Sequence, residues 1–484
     1  MDAQRQPPIK IMGATLLGTA IEWYDYGIYI FAAAVVFPKV FFPTFDDATG
    51  VLVSYITLAI AGITRPLGAV LFGHIGDRLG RRRALIISLV TMTIATTSIG
   101  MLPGFATAGW ISVILLFTAR IVQSLAVGGE WGGATLYAVE AAPPGLRALY
   151  GSFPQIGNGL GLLGSTGMFT LITMPRWDHL LVEWTWRIPF LIAGVLGIFG
   201  IWLRIRLEES PIFQAAVAEE ASEEDQKLPI VELMRTDWRT VLKATGAFLI
   251  TIAGLYVISA YVNARGTTVL SFNEHDVSQS GMMVSITIIV VVPLAAWAAD
   301  VWSTRLVTLV GLIMHMVVAF PMLYFVEFDT IWGLWLGQFL GTVASSIAYA
   351  VIGTYVSGWF QARTRQSGIS LAYQLAGLFS MAVPAFSQYL DTASGHHWQP
   401  VAGLFFVMAA ISTLCVFIHS KADLIDADIA AREKQKATDK AKAAAKAAAA
   451  KAKATAGAAA HKAKAVASKA KPKAKDGDNS SALS

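Results

Sequence analysis

Gly73-His-Ile-Gly-Asp77-Arg78-Leu-Gly80-Arg81-Arg82-Arg83 joins two apolar stretches, at roughly 52 to 74 and 84 to 103. Its four arginines cannot lie in hydrocarbon, so the run marks a point where the chain leaves a membrane and turns back. Outward from it, further apolar stretches occur at roughly 12 to 37, 110 to 138, 149 to 173 and 185 to 205. After a polar interval come 241 to 268, 279 to 300, 305 to 326, 331 to 358, 367 to 391 and 398 to 419. Each approaches or exceeds the about 20 residues that a membrane-spanning helix needs. The expectation is an all-α polytopic membrane protein with twelve transmembrane helices in two six-helix bundles. Residues 1–205 and 241–420 form the bundles, 206–240 a cytoplasmic linker, and 421–484 a disordered Lys/Ala-rich cytoplasmic tail.

Composition agrees. Of 484 residues, 55% are hydrophobic and 14% charged, and the mean hydropathy is +0.57, which excludes a water-soluble globule. A single cysteine, Cys415, leaves no internal disulfide, and no Cys/His cluster has metal-ligand spacing. No cofactor is expected. There is no phosphate-binding glycine loop to couple ATP, and no nucleophile or acid/base constellation to suggest an enzyme. The first apolar run, Ile11 to Phe37, is too long for a cleaved signal and carries Glu22 and Asp25 inside it. It reads as a retained span.

The net charge of +5 resides in the tail, where residues 421–484 hold 15 basic and 7 acidic residues, a net of +8 that leaves the body at −3. Sixteen of the body's 22 basic residues, Arg204, Arg206, Arg363 and Arg365 among them, fall on one side when both termini are placed in the cytoplasm. The cell membrane is the expected location. The tail's expected partner is anionic lipid of the cytoplasmic leaflet, worth about 1 kcal/mol per basic residue; nucleic acid is not expected there.

Charges inside spans require a reason, because each costs at least about 2.5 kcal/mol at the bilayer centre. Glu22 and Asp25 lie near the midplane of the first span and share a helix face. Arg65 and Arg120 lie at similar depth in the second and fourth. Two readings stand: a cluster that carries protons and engages substrate, with Glu22 and Asp25 as carriers and Arg120 on a substrate carboxylate, or a fixed lattice of salt bridges. Glu130, about 15 Å deeper than Arg120, either receives the proton on the inward path or sits in a glycine-rich packing segment. Gln155 and Asn158 are candidates to face the cavity among the glycines of the fifth span. Arg265 either snorkels or touches substrate. Tyr24, Tyr26, Tyr256, Tyr261 and Tyr373 read as core more readily than as ligands.

The chain echoes itself. Ala296-Trp-Ala-Ala-Asp300-Val-Trp-Ser-Thr-Arg305 repeats the acid five residues before an arginine that Asp77 and Arg82 form. Such duplication suits a transporter with its substrate site between halves. The Gly73 to Arg83 run resembles the loop signature of the major facilitator superfamily. Narrower matches are Glu22-Trp-Tyr-Asp25, Arg65-Pro-Leu-Gly68, Arg120-Ile-Val-Gln123, Gly128-Gly-Glu130-Trp-Gly-Gly133, Trp184-Thr-Trp-Arg187-Ile-Pro-Phe190 and Leu207-Glu-Glu-Ser-Pro211. They resemble the metabolite:proton symporter family, whose carriers serve shikimate, α-ketoglutarate, citrate, and proline or betaine. Ser124, where glycine is usual, and the eroded second loop depart from the pattern. The resemblance implies that Gly73, Asp77, Arg78, Gly80, Arg82, Glu140 and Arg147 form a gating latch, and that Gln123 belongs with the charged layer. The expected function is proton-coupled uptake of a small polar metabolite, an organic acid in first place, by alternating access. A proline/betaine symporter and a non-transporting receptor or scaffold are the rivals.

Overall fold

The computed structural model describes residues 8–45, 47–143, 145–172, 181–206, 229–272 and 274–419. The tail, the acidic run of the linker and the Leu207 to Pro211 motif lie outside the described residues. Among the described residues there is no strand, and nine helices are long and apolar enough to cross a membrane.

The first group of helices is α1 (Pro8–Phe31), α2 (Asp47–Leu79), α3 (Arg81–Met101), α4 (Trp110–Gly128), α5 (Glu130–Ala141), α6 (Arg147–Gly151), α7 (Phe153–Ile172) and α8 (Arg187–Ile205). The short α9 (Pro229–Thr236) precedes the second group. This comprises α10 (Trp238–Tyr256), α11 (Val262–Thr268), α12 (Glu274–Val301), α13 (Thr304–Val326), α14 (Ile331–Ser357), α15 (Arg365–Met381), α16 (Val383–Ala393) and α17 (Gln399–Ile418). Each group's leading helix widens into a π-turn, α1 at Ala32–Val36 and α10 at Val257–Tyr261. Residues 1–425 form one compact unit.

Helices surrounded by lipid gain little from hydrophobic association, so close backbone approach through small residues takes its place. On α7, a Cβ at Gly157 or Gly161 would overlap the carbonyls of Leu16 and Ala20 on α1. Gly68 of α2 and Gly128 of α4 interlock in the same way against Leu125 and Arg65. Threonines inside apolar helices satisfy themselves on their own backbone, as when Thr93 donates to the Leu89 carbonyl at 2.7 Å. The outer faces are apolar: α8 alone exposes Val195, Ile198, Phe199 and Trp202.

The structure changes the reading of the opening stretch. Residues 73–79 continue α2, and α3 begins at Arg81, so the reversal is made by Gly80 alone. Its φ of +107° is a conformation that only glycine adopts without strain. What the sequence presented as a loop is therefore two helix ends with a fixed rotational phase.

Candidate substrate and proton site

Glu22 and Asp25 on α1 are buried, 7% and 3% exposed. Asp25 Oδ2 accepts from Gln123 Nε2 at 2.5 Å. The same amide nitrogen donates to Thr96 Oγ1 at 2.8 Å, and the amide oxygen accepts from Arg120 Nη1 at 2.5 Å. Gln123 thus bridges the carboxylate and the guanidinium. Arg120 lies 3.7 Å over the Tyr29 ring, whose hydroxyl donates to Thr57 at 2.8 Å. Arg65 lies 5.4 Å from the Tyr26 ring and is a charged neighbour of Glu22. The expected layer of two acids and two bases is present.

Its hydrogen-bonding capacity is only partly used. Glu22 Oε2, Asp25 Oδ1, Arg65 Nε, Arg120 Nε and Nη2, and both amide atoms of Gln155 are buried without a protein partner. Buried polar atoms without a protein partner are uncommon in native proteins, and Glu22, Asp25, Arg65 and Arg120 each contribute one or more here. From the second group, Tyr349 and Tyr373 close this space, their hydroxyls 3.0 Å apart. Trp131 of α5 stacks on Tyr373 at 3.8 Å, Asn158 lies against the Tyr349 hydroxyl, and Tyr256 meets Tyr26 across the groups. Tyr26, Tyr256 and Tyr373 thus stand beside the charged layer, whereas the Tyr24 hydroxyl donates to the Pro189 carbonyl.

Glu130 is not open to this space. Its carboxylate is ion-paired with Arg204, accepts from Ser88 Oγ at 2.6 Å, and receives Arg204 Nη1 at 2.9 Å. Arg204, counted with the cytoplasmic arginines, is 1% exposed and also bonds the Leu85 carbonyl at 2.7 Å. Its position one residue from the helix end hid its inward direction. Arg265 likewise has its donors taken up by protein groups. Its guanidinium bonds both Glu327 oxygens, at 2.6 and 2.9 Å, pairs with Asp391, and reaches the His396 carbonyl at 2.9 Å.

The charged network at the Gly80 end is built on a different arginine. Asp77 pairs at 2.6 Å with Arg81, whereas Arg82 turns away to the Ile205 carbonyl at 2.5 Å. The reversal at Gly80 sets Arg81, the first residue of α3, against Asp77 near the end of α2, and Arg82, the next residue round α3, points elsewhere. Asp77 also accepts from the backbone amides of Gln366 and Ser367 at 3.1 and 2.9 Å, and from Ser367 Oγ at 2.6 Å, capping the start of α15. Gly73 lets α2 lie against Ser367, where a Cβ would come within 2.8 Å of its Cα. Glu140 stands between Arg81 at 3.8 Å and Arg365 at 3.4 Å, and Arg81 reaches the Ala362 carbonyl at 2.7 Å. Arg78 is exposed at this end.

The eroded echo performs the same task. Asp300 accepts from the amides of Ala148 and Leu149 at 2.8 and 2.9 Å, capping α6, with Arg147 alongside. Two acids therefore clasp the two groups together at the arginine-bearing end. Burial raises the Asp77 carboxyl above the ordinary carboxylate range, opposed by Arg81 and Ser367.

The family model for "Sugar (and other) transporter" matches residues 11–422. The chain is 35% identical over 411 residues to the inner membrane metabolite transport protein YhjE of Escherichia coli (strain K12), covering 82% of this chain and 92% of that protein. It is 34% identical over 403 residues to the shikimate transporter of the same organism, covering 83% and 92%. It is 30% identical over 415 residues to the proline/betaine transporter of Salmonella typhimurium, covering 84% and 82%. Among solved structures it resembles the major facilitator superfamily proton:xylose symporter XylE bound to 6-bromo-6-deoxy-D-glucose, with a TM-score of 0.66, 17% identity, and coverage of 85% and 94%.

Proposed function

We propose a function for a chain that belongs to the sugar (and other) transporter family of the major facilitator superfamily and is a transporter, not an enzyme. It takes up a small polar metabolite together with a proton, an organic acid in first place, by alternating access of residues 1–205 and 241–420 around the charged layer. The observation that carries this reading is the buried layer of Glu22, Asp25, Arg65 and Arg120 with its unpartnered oxygen and nitrogen atoms. Arg120 and Arg65 supply N–H donors to a substrate carboxylate, and Glu22 and Asp25 carry the proton. A fixed salt-bridge lattice would have used those atoms. The relative named as a shikimate transporter supports an acid. Arginine bias supports cytoplasmic termini, so that the clasped end faces the cytoplasm and the chain lies in the cell membrane. One charge moving through 100 mV supplies about 2.3 kcal/mol, enough for about 50-fold concentration.

A second reading, a zwitterionic osmolyte such as proline or betaine, is favoured by the aromatic surface of Trp131, Tyr349, Tyr373, Tyr26 and Tyr256, since methylated ammonium groups bind aromatic faces. Uptake of labelled shikimate, citrate, proline and betaine into proteoliposomes, with and without an imposed pH gradient, tests both. Acid accumulation that a protonophore collapses is the expected result. Accumulation of betaine alone favours the second reading, and uptake indifferent to gradient and protonophore overturns the symport.

A further inference from the structure

The Arg204–Glu130 pair lies directly on the helix that bears Glu22. At Gly18, a Cβ would collide with the Arg204 guanidinium and come within 3.0 Å of Glu130 Oε1. Glu22 is four residues further along α1, on the same face and about 6 Å along the axis. Glu130 and Arg204 are, after Arg65, among the charges that act on Glu22. One arginine thus lies between two buried carboxyl groups, bonded to one and a helical turn from the other, whose Oε2 has no partner.

We infer that Arg204 is a positioning residue for proton coupling, a shared counter-ion that moves from Glu130 to Glu22 as a proton passes from Glu22 to Glu130. The inference rests on the proton-symport reading above. In the starting state Glu22 is a neutral carboxylic acid, Glu130 a carboxylate and Arg204 its cation. The O–H bond of Glu22 breaks and an O–H bond forms on a Glu130 oxygen. The guanidinium, protonated throughout, then pairs with the new Glu22 carboxylate. The three groups sum to zero charge before and after, so the proton moves inward without leaving an uncompensated charge in low dielectric. Ser88, bonded to Glu130 at 2.6 Å, holds the acceptor in place. Gly18 is required because any side chain there would occupy the arginine's path.

A merely structural pair and a coupling pair differ in one double variant. Glu130→Gln with Arg204→Gln removes both charges together, leaving no lone buried ion. In proteoliposomes, with labelled shikimate, proline and betaine as probes, this variant is expected to keep counterflow exchange within about threefold of wild type and to lose gradient-driven accumulation at least tenfold. Wild-type accumulation in the double variant overturns the inference. Wild-type protein whose accumulation ignores a protonophore overturns the symport reading itself, and this inference with it. A substrate-free arm uses pH-difference infrared spectra of the reconstituted protein. The carboxylic-acid band lost in Glu22→Gln is expected to change also in Ser88→Ala, a small substitution that leaves the ion pair in place. An unchanged band overturns the inference even where the double variant fails to fold.

Discussion

Both halves of the chain bury an arginine among carboxylates, and they do so differently. Arg265 in the second half spends its donors on Glu327, Asp391 and a carbonyl, close to the helix ends at Thr268, Val326 and Ala393. Arg120 in the first half lies at mid-span, donates to one glutamine oxygen, and leaves Nε and Nη2 unused. A saturated arginine ties helices together; an unsaturated one retains binding capacity. The unused polar atoms of the charged layer accordingly lie in the first half, with Tyr256, Tyr349 and Tyr373 of the second half beside them.

The largest effect expected of this contrast is at Asp25. Asp25→Asn should abolish gradient-driven accumulation, at least a tenfold loss, while exchange remains measurable, because exchange need not release the proton. Wild-type accumulation in that variant would remove Asp25 from the coupling path. Next comes Arg265→Gln, which strands two carboxylates and should destabilise the protein by about 3–5 kcal/mol. Thermal unfolding in detergent should show a lowered midpoint, whereas the protonophore sensitivity of residual uptake should be unchanged. A stable protein with altered coupling would erase the distinction between the two arginines.

The two clasps sharpen the comparison further. Asp77 accepts four bonds, from Arg81, two amides and a hydroxyl, whereas Asp300 accepts two. Asp77→Asn should therefore raise thiol labelling of a cysteine placed at Ser370 several-fold more than Asp300→Asn does. Equal labelling would mean that the arginine and hydroxyl contribute nothing. The smallest effect is expected from deleting 421–484: uptake within about twofold of wild type, with weaker attachment of the full chain's tail to anionic vesicles as salt rises.

Much of this was legible in the chain. The long apolar runs predict the helical fold, and intramembrane charges stand out because each needs a partner or a task. Asp77 and Glu140 were recognisable from their motif. Arg81 was not, because a stretch read as loop has no helical phase, and phase alone separates Arg81 from Arg82. Arg204 was lost to the charge rule, which assigns every arginine near a span end to water. The amides of α15 and α6 and the guanidinium of Arg365 were out of reach for another reason: they meet Asp77, Asp300 and Glu140 through contacts 290, 151 and 225 positions away in sequence, and no local pattern encodes such pairings.

The clasps also bear on speed. An acid seated on a helix start through a few hydrogen bonds is worth about 1–3 kcal/mol, and burial of Asp77 and Asp300 works against that gain because each carboxyl recovers its hydration on release. Every 1.4 kcal/mol held in such a joint slows its opening about tenfold. The buried Glu140–Arg365 pair, which joins α5 to α15 at the same end, adds to what opening has to overcome. The two clasps together hold about 2–6 kcal/mol, as much as or more than the roughly 2.3 kcal/mol that a single proton brings at 100 mV, so a gradient of that size suits joints that release one at a time.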